Sequence, residues 1–179
     1  MICRTSNKSR QAGRNRVNDE TTGRQARPFH MRVFIRLLHF VFLFTRGATL
    51  GVRAACYDGA GRIFLVRHTY LPGWYLPGGG VERGETLLAA LHKEIREEGN
   101  LEATSKPELF HVYLNLEGSN RDHVALYRLE VTQTKPKKPD HEIAESGFFD
   151  LSNLPEGMTA ATRRRLAELA GEAALADHW

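Results

Sequence analysis

Ordinary amphipathic helices do not finish their buried stripe in carboxylates; residues 86–98 of this chain do. At about 100° per residue, Leu87, Leu91, Glu94 and Glu98 fall on one stripe, with Leu88 and Ile95 beside it. Glu94, Glu97 and Glu98 stand at i, i+3 and i+4, so they project from one face, where like charges repel. A solvated acidic face partnered by Lys93 and Arg96 is the plainer reading. It does not explain why two of the acids continue the core-facing line, where an unpaired charge is costly. Oxygen donors grouped in this way suit a hard divalent cation such as Mg²⁺. Upstream, Pro77 and the three glycines Gly78, Gly79 and Gly80 bring bare backbone close to any ligand, and Thr86 is a candidate N-cap for a helix ending at Glu98. The pattern reads as a metal-assisted phosphate enzyme.

The elements around this helix are marked by their turns. Gly51 to Tyr57 predicts a strand ended by Asp58-Gly59-Ala60-Gly61, and Arg62 to Arg67 predicts its hairpin partner. Phe110–Leu116 and His123–Val131 predict two more strands around Gly118-Ser119-Asn120, and Phe148-Phe149 closes a last short one. A C-terminal helix is expected from about Thr159 to Ala174, with Leu166 and Leu169 facing the core. Strands around one central helix, followed by a terminal helix, suit a mixed sheet between helical layers.

The segment from Gly79 through Glu85 to Lys93-Glu94-Ile95-Arg96-Glu97-Glu98-Gly99-Asn100-Leu101 resembles the signature box of the Nudix hydrolases: Gly, five residues, Glu, seven residues, Arg-Glu-apolar-x-Glu-Glu-x-Gly-apolar. Leu76-Pro77-Gly78 and Trp74 also look like that family, and the likeness extends more loosely from Ala48 to about Leu169. It implies an α/β/α sandwich with a mixed sheet. Two positions depart from the pattern. Lys93 stands where the family has Arg, which keeps the charge and loses the bidentate fork. Asn100 replaces the box Gly, and Asn is the next best residue for a left-handed helix end.

The resemblance implies hydrolysis of a pyrophosphate bond in a nucleoside diphosphate linked to another group, with Mg²⁺ or Mn²⁺ as cofactor. Carried over by position, Glu94, Glu97 and Glu98 are the expected metal ligands, with the carbonyl of Gly78 a further one. Glu85 completes that shell, steadied by Lys93. The general base is expected at Glu97 or at one of the loop residues Glu142 and Glu145. Arg67 at a strand end, Trp74 and Tyr75 as stacking faces, and Gly79 are the candidate substrate contacts. His68, His111, His123 and His141 show no metal-ligand spacing and read as structural or surface, and Arg163-Arg164-Arg165 reads as a solvated face.

Composition narrows the partners. The formal charge of +4 divides into +5 over residues 1–30 and −1 over residues 31–179, so the basicity belongs to a tail, expected to be disordered. A small nucleotide derivative is therefore the expected partner rather than nucleic acid. Residues 33–44, within an apolar or amphipathic helix over 31–46, form a run too short to span a bilayer; it is expected to pack on the domain or in a homodimer, with a membrane-surface helix or a signal-like segment starting at Met31 as alternatives. The catalytic domain is expected over 47–179. Two cysteines, Cys3 and Cys56, offer no structural disulfide, and a reducing cytoplasm suits the chain. Two other readings compete: pyrophosphate removal from an RNA 5′ end, which would want a basic groove, and a non-catalytic nucleotide-sensing module, which would want lost box carboxylates. None of the box carboxylates is lost.

Overall fold

The computed structural model describes residues 47–179; the expected tail over 1–30, the expected helix over 31–46 and Cys3 lie outside the described residues. Six strands form one mixed sheet: β1 (Thr49–Tyr57), β2 (Ile63–His68), β3 (Leu101–Ala103), β4 (Glu108–Leu114), β5 (Asp122–Gln133) and β6 (Ile143–Phe149). The spatial order is β3-β5-β1-β2-β6, with β4 sharing the β5 edge. Only β1 and β5 run parallel, in register from Thr49↔Asp122 to Tyr57↔Glu130. Helices α1 (Leu87–Gly99) and α2 (Ala160–Leu169) cover opposite faces. This is the expected α/β/α sandwich.

Each strand feeds both layers because successive side chains alternate between faces. Phe64 and Val66 of β2 pack with Leu91 and Ile95 of α1, whereas Ile63 and Leu65 pack with Leu166 of α2. Leu91 and Ile95 are fully buried and contribute about 2 kcal/mol each from lost apolar surface. Leu88, expected beside the stripe, is exposed. The Thr86 hydroxyl accepts from the Ala89 amide at 3.1 Å and starts α1. Asn100 ends it at φ 52°, ψ 38°, its N–H donating to the Arg96 carbonyl, so the departure from glycine leaves the cap intact.

The hairpin expected of β1 and β2 closes only at its turn, where Tyr57 pairs with Ile63. Beyond that pair a wedge of extended chain separates the strands. Tyr75 exchanges two backbone bonds with Val66, Ala54 donates to the Pro77 carbonyl, and Val52 donates to the Gly79 carbonyl. The wedge explains Gly78, which sits at φ 143° where a Cβ would lie 2.1 Å from the Val52 oxygen. The glycine run is thus a packing requirement as well as a ligand approach.

Two elements differ from the expected pattern. β3 has three residues, too few to show a period. α2 is shorter than expected; Thr159 caps it through the Thr162 amide at 3.1 Å, and Gly171 at φ 75° turns the chain away after Ala170. No helix among the described residues is long and apolar enough to cross a membrane.

Candidate active site

The C-terminal half of α1 lies against the glycine wedge, and this contact positions the acids. Glu98 is buried; its Oε2 accepts the Gly78 amide at 2.8 Å. Burial pushes its carboxyl up to about 7, with Glu94 and Glu142 adding to the rise while Arg53 and the Gly78 amide oppose it. Glu94, half-buried, is also raised, first by burial and then by Glu97 and Glu142, with Lys93 and Arg53 opposing. A Cβ on Gly79 would meet the Glu94 carboxylate at 2.6 Å, so the glycine makes room for this acid. Glu97 is exposed and completes the face expected from the i, i+3, i+4 spacing.

Lys93 is the positive centre among the acids. Its Nζ lies 3.4 Å from Glu85, 3.7 Å from Glu94 and 3.7 Å from Glu82. Burial would lower its pKa, but Glu85, Glu94 and Glu82 together raise it. Glu85 is held from a second side by the Glu82 amide at 3.0 Å. A lysine can serve three carboxylates as a point charge, though at distances longer than a guanidinium fork would give.

Arg53 projects from β1 beneath the wedge and was not among the expected site residues. Its Nη1 donates to the carbonyls of Leu76 at 2.9 Å and Gly78 at 2.7 Å. The Gly78 carbonyl thus already accepts one bond and keeps one lone pair. A charged residue inside the otherwise apolar run Val52–Cys56 was the available signal.

His68, read from sequence as structural or surface, is buried beside Glu98, its Nε2 3.8 Å from Glu98 Oε1. Burial and Arg53 lower the imidazole pKa, against Glu142, while burial raises the carboxyl, so both shifts disfavour an ion pair here. Glu142 comes from the loop before β6, and ligand atoms of His68, Glu98 and Glu142 all lie within 4.8 Å of one another. That loop is tied down by Lys137, whose Nζ donates to the Glu97 carbonyl at 2.7 Å and to Asp140 at 2.5 Å. Asp140 in turn accepts the amides of Glu142 and Ile143, and these bonds hold its carboxyl well below the usual range. Glu97, Glu98, Lys137, Asp140 and Glu142 line a cleft of about 330 Å³. A larger depression of about 800 Å³, bordered by Tyr57, Arg128 and Glu130, contains none of these acids.

Three expected site residues do not join them. Glu145 pairs with Arg67 at 2.6 Å, and the Arg67 guanidinium lies over the Trp74 ring at 5.8 Å. Trp74 is buried in the core of the α2 face, edge-on to Phe149. Of the two glutamates, Glu142 lies in the loop before β6 and Glu145 within the strand. Arg67 pairs with Glu145 but His68 pairs with Ile143, so one residue of β6 is skipped. Glu142 lies beside α1, and Glu145 on the opposite side with Arg67 and Trp74. Tyr75 stays near the site, its ring 5.5 Å from His68 and its hydroxyl on the Pro72 carbonyl. The supposedly solvated arginine run also needs correction: Arg165 is fully buried.

The NUDIX domain family model matches residues 47–169. The chain is 41% identical over 83 residues to the ADP-ribose pyrophosphatase of Methanocaldococcus jannaschii, covering 45% of this chain and 48% of that protein. It is 31% identical over 104 residues to the human 8-oxo-dGDP phosphatase NUDT18, covering 55% of this chain and 30% of the other. The chain therefore spans half or less of the curated relatives it matches. Among solved structures, a MutT NUDIX hydrolase from Burkholderia pseudomallei superposes with a TM-score of 0.56 at 27% identity, covering 69% of this chain and 98% of that one.

Proposed function

Because the chain belongs to the Nudix family, we propose that it hydrolyses the pyrophosphate bond of a nucleoside diphosphate linked to another group, with Mg²⁺ or Mn²⁺ bound among the α1 glutamates. The observation that carries this reading is geometric: Glu94, Glu97 and Glu98 share one face of α1, with Glu98 buried on the Gly78 amide and Glu94 packed against Gly79. Such a donor set fits a divalent ion, because ionising these acids in place calls for added positive charge. Glu94, Glu97 and Glu98 would hold it, with the free lone pair of the Gly78 carbonyl as a further donor. When bound, the ion supplies neutralisation of the pyrophosphate oxygens.

The remaining work falls to the chain. Glu97, exposed on the cleft, or Glu142, held by the Asp140 turn, takes the proton from the attacking water. Attack at one phosphorus breaks its bond to the bridging oxygen. Lys93 keeps Glu85 and Glu94 oriented, and Arg53 fixes the wedge that carries Gly78. ADP-ribose is the first substrate to test, since the relative at 41% identity bears that name.

The test is a hydrolysis screen, with products separated by chromatography, of ADP-ribose, other nucleoside diphosphate derivatives, nucleoside triphosphates and 5′-triphosphorylated RNA, with and without Mg²⁺ or Mn²⁺. Turnover of one nucleotide class, lost on metal removal and in Glu97→Gln, is expected. Failure to turn over any of the panel would sink the hydrolase reading, and turnover of RNA alone would move it to a macromolecular substrate.

A further inference from the structure

A buried imidazole normally spends at least one nitrogen on a hydrogen bond. His68 spends neither within the described residues: Nδ1 is buried without a partner, and Nε2 stops 3.8 Å from Glu98 Oε1, beyond hydrogen-bond reach. The side chain is nonetheless only 5% exposed, and it is aimed at two carboxylates. Glu98 is oriented to meet it, because Oε2 is occupied by the Gly78 amide and Oε1 is left on the His68 side. Glu142 is brought to the same point by backbone. The Thr69 amide donates to the Glu142 carbonyl at 2.9 Å, and the Thr69 hydroxyl donates to His141 at 2.7 Å. Strand end and loop are thus joined directly beside the imidazole.

Donor atoms around a small divalent ion stand roughly 3 to 4.3 Å apart, given bonds of about 2.1 Å. The spacing of this trio falls within or just outside that range. We infer that His68, Glu98 and Glu142 form a mixed nitrogen–oxygen seat that takes a first-row transition ion, for which Mn²⁺ is the probe, in preference to Mg²⁺. An imidazole among carboxylates favours the transition metals, whereas an all-oxygen set suits Mg²⁺. The inference deepens the proposed reading by naming the class of cation, and rests on that reading only for the presence of a divalent ion.

Mn²⁺ titration of the full chain by electron paramagnetic resonance, followed by pulsed measurement of nitrogen-14 coupling, tests it. Bound Mn²⁺ should show an imidazole nitrogen coupling that vanishes in His68→Gln, with Mn²⁺ affinity falling about tenfold or more and Mg²⁺ affinity changing less. Bound Mn²⁺ without the coupling in the native protein overturns the inference, whatever His68→Gln does. So does coupling that survives in His68→Gln. In either case Mg²⁺-dependent turnover would leave the hydrolase reading standing. Absence of Mn²⁺ binding overturns the inference too, and Mg²⁺ turnover then decides separately whether the hydrolase reading survives.

Discussion

Glu98 and Glu168 are buried to nearly the same extent, 3% and 6% exposed, on opposite sides of the sheet. Their surroundings differ completely. Glu168 accepts the Arg165 guanidinium at 2.7 Å, the Tyr113 hydroxyl at 2.7 Å and the Ala176 amide at 3.2 Å. Arg165 also lies over the Tyr113 ring at 4.1 Å and donates to the His178 carbonyl. That network neutralises its own charge and ties α2 to β4 and the chain end. Glu98 has one amide bond, a non-bonded imidazole and two acidic neighbours, while nearby Arg53 is engaged by the Leu76 and Gly78 carbonyls. A buried acid with its cation built in is structural; one without such a pair is, on the proposed reading, a seat for an ion. The same residue type thus serves stability on one face and, as proposed, chemistry on the other.

The contrast is broken most severely at Arg165. Arg165→Met leaves Glu168 buried without its cation and should destabilise the fold by about 3–5 kcal/mol. Urea unfolding would show it, while activity per folded molecule should hold; a small loss would mean that the network is not self-neutralising. Glu98→Gln should do the reverse. The substitution keeps an acceptor for the Gly78 amide but removes the charge, so turnover should fall at least about a hundredfold. Without divalent ions the fold should become more stable at pH 8 by up to about 3 kcal/mol.

The sign follows from linkage. Glu98 titrates near 7 in the fold against an ordinary 4.5, so the folded protein holds this proton more tightly. The contribution of Glu98 in chelator is therefore fully present below pH 4.5, is lost as pH rises through 7, and stays absent above it. The groups facing Glu98 are Arg53 of β1, His68 of β2, Glu94 of α1 and Glu142 of the loop. Thermal unfolding in chelator should show this slope in the native chain and a flatter one in Glu98→Gln. Added Mg²⁺ or Mn²⁺ should flatten it as well, while the Glu168 side stays unaffected.

Smaller changes sharpen the same comparison. Lys93→Met removes the only cation lying within 4 Å of Glu85 among the described residues and should lower kcat/KM about tenfold. Lys93→Arg, which restores a bidentate fork, should match or exceed the native rate. Equal rates for Met and Arg would show that Lys93 does not orient the acids. Lys137→Met should cost under about 1 kcal/mol in stability. Its effect should appear as weaker divalent-ion binding by calorimetry, since the loop bearing Glu142 loses its tie to α1.

Much of this was legible in the chain. The stripe running Leu87, Leu91, Glu94, Glu98, with Ile95 beside it, gave both the core-facing side of α1 and its anionic end, because helical periodicity is local. Thr86 and Asn100 marked the two caps for the same reason. Lys93 beside Glu85 was implied only by the family resemblance, and the fold brings its Nζ 3.4 Å from that carboxylate.

Tertiary structure decided the rest, since each remaining feature depends on partners far apart in sequence. Strand register set Glu145 opposite Arg67, and the loop before β6 set Glu142 beside Glu98, partners that the local sequence does not name. Trp74 and Tyr75 are adjacent, yet the wedge between β1 and β2 sends them to opposite faces. Arg165 looked like one member of a solvated run until Tyr113, 52 positions away, closed over it. His68 looked ordinary until Glu98 and Glu142 converged on it. The sequence by itself determined which acids share a helix face, because that is a repeat of 3.6 residues. Only the fold decided which buried acid would be paired within a closed network and which would stand among other acids, because that depends on strand register and long-range packing.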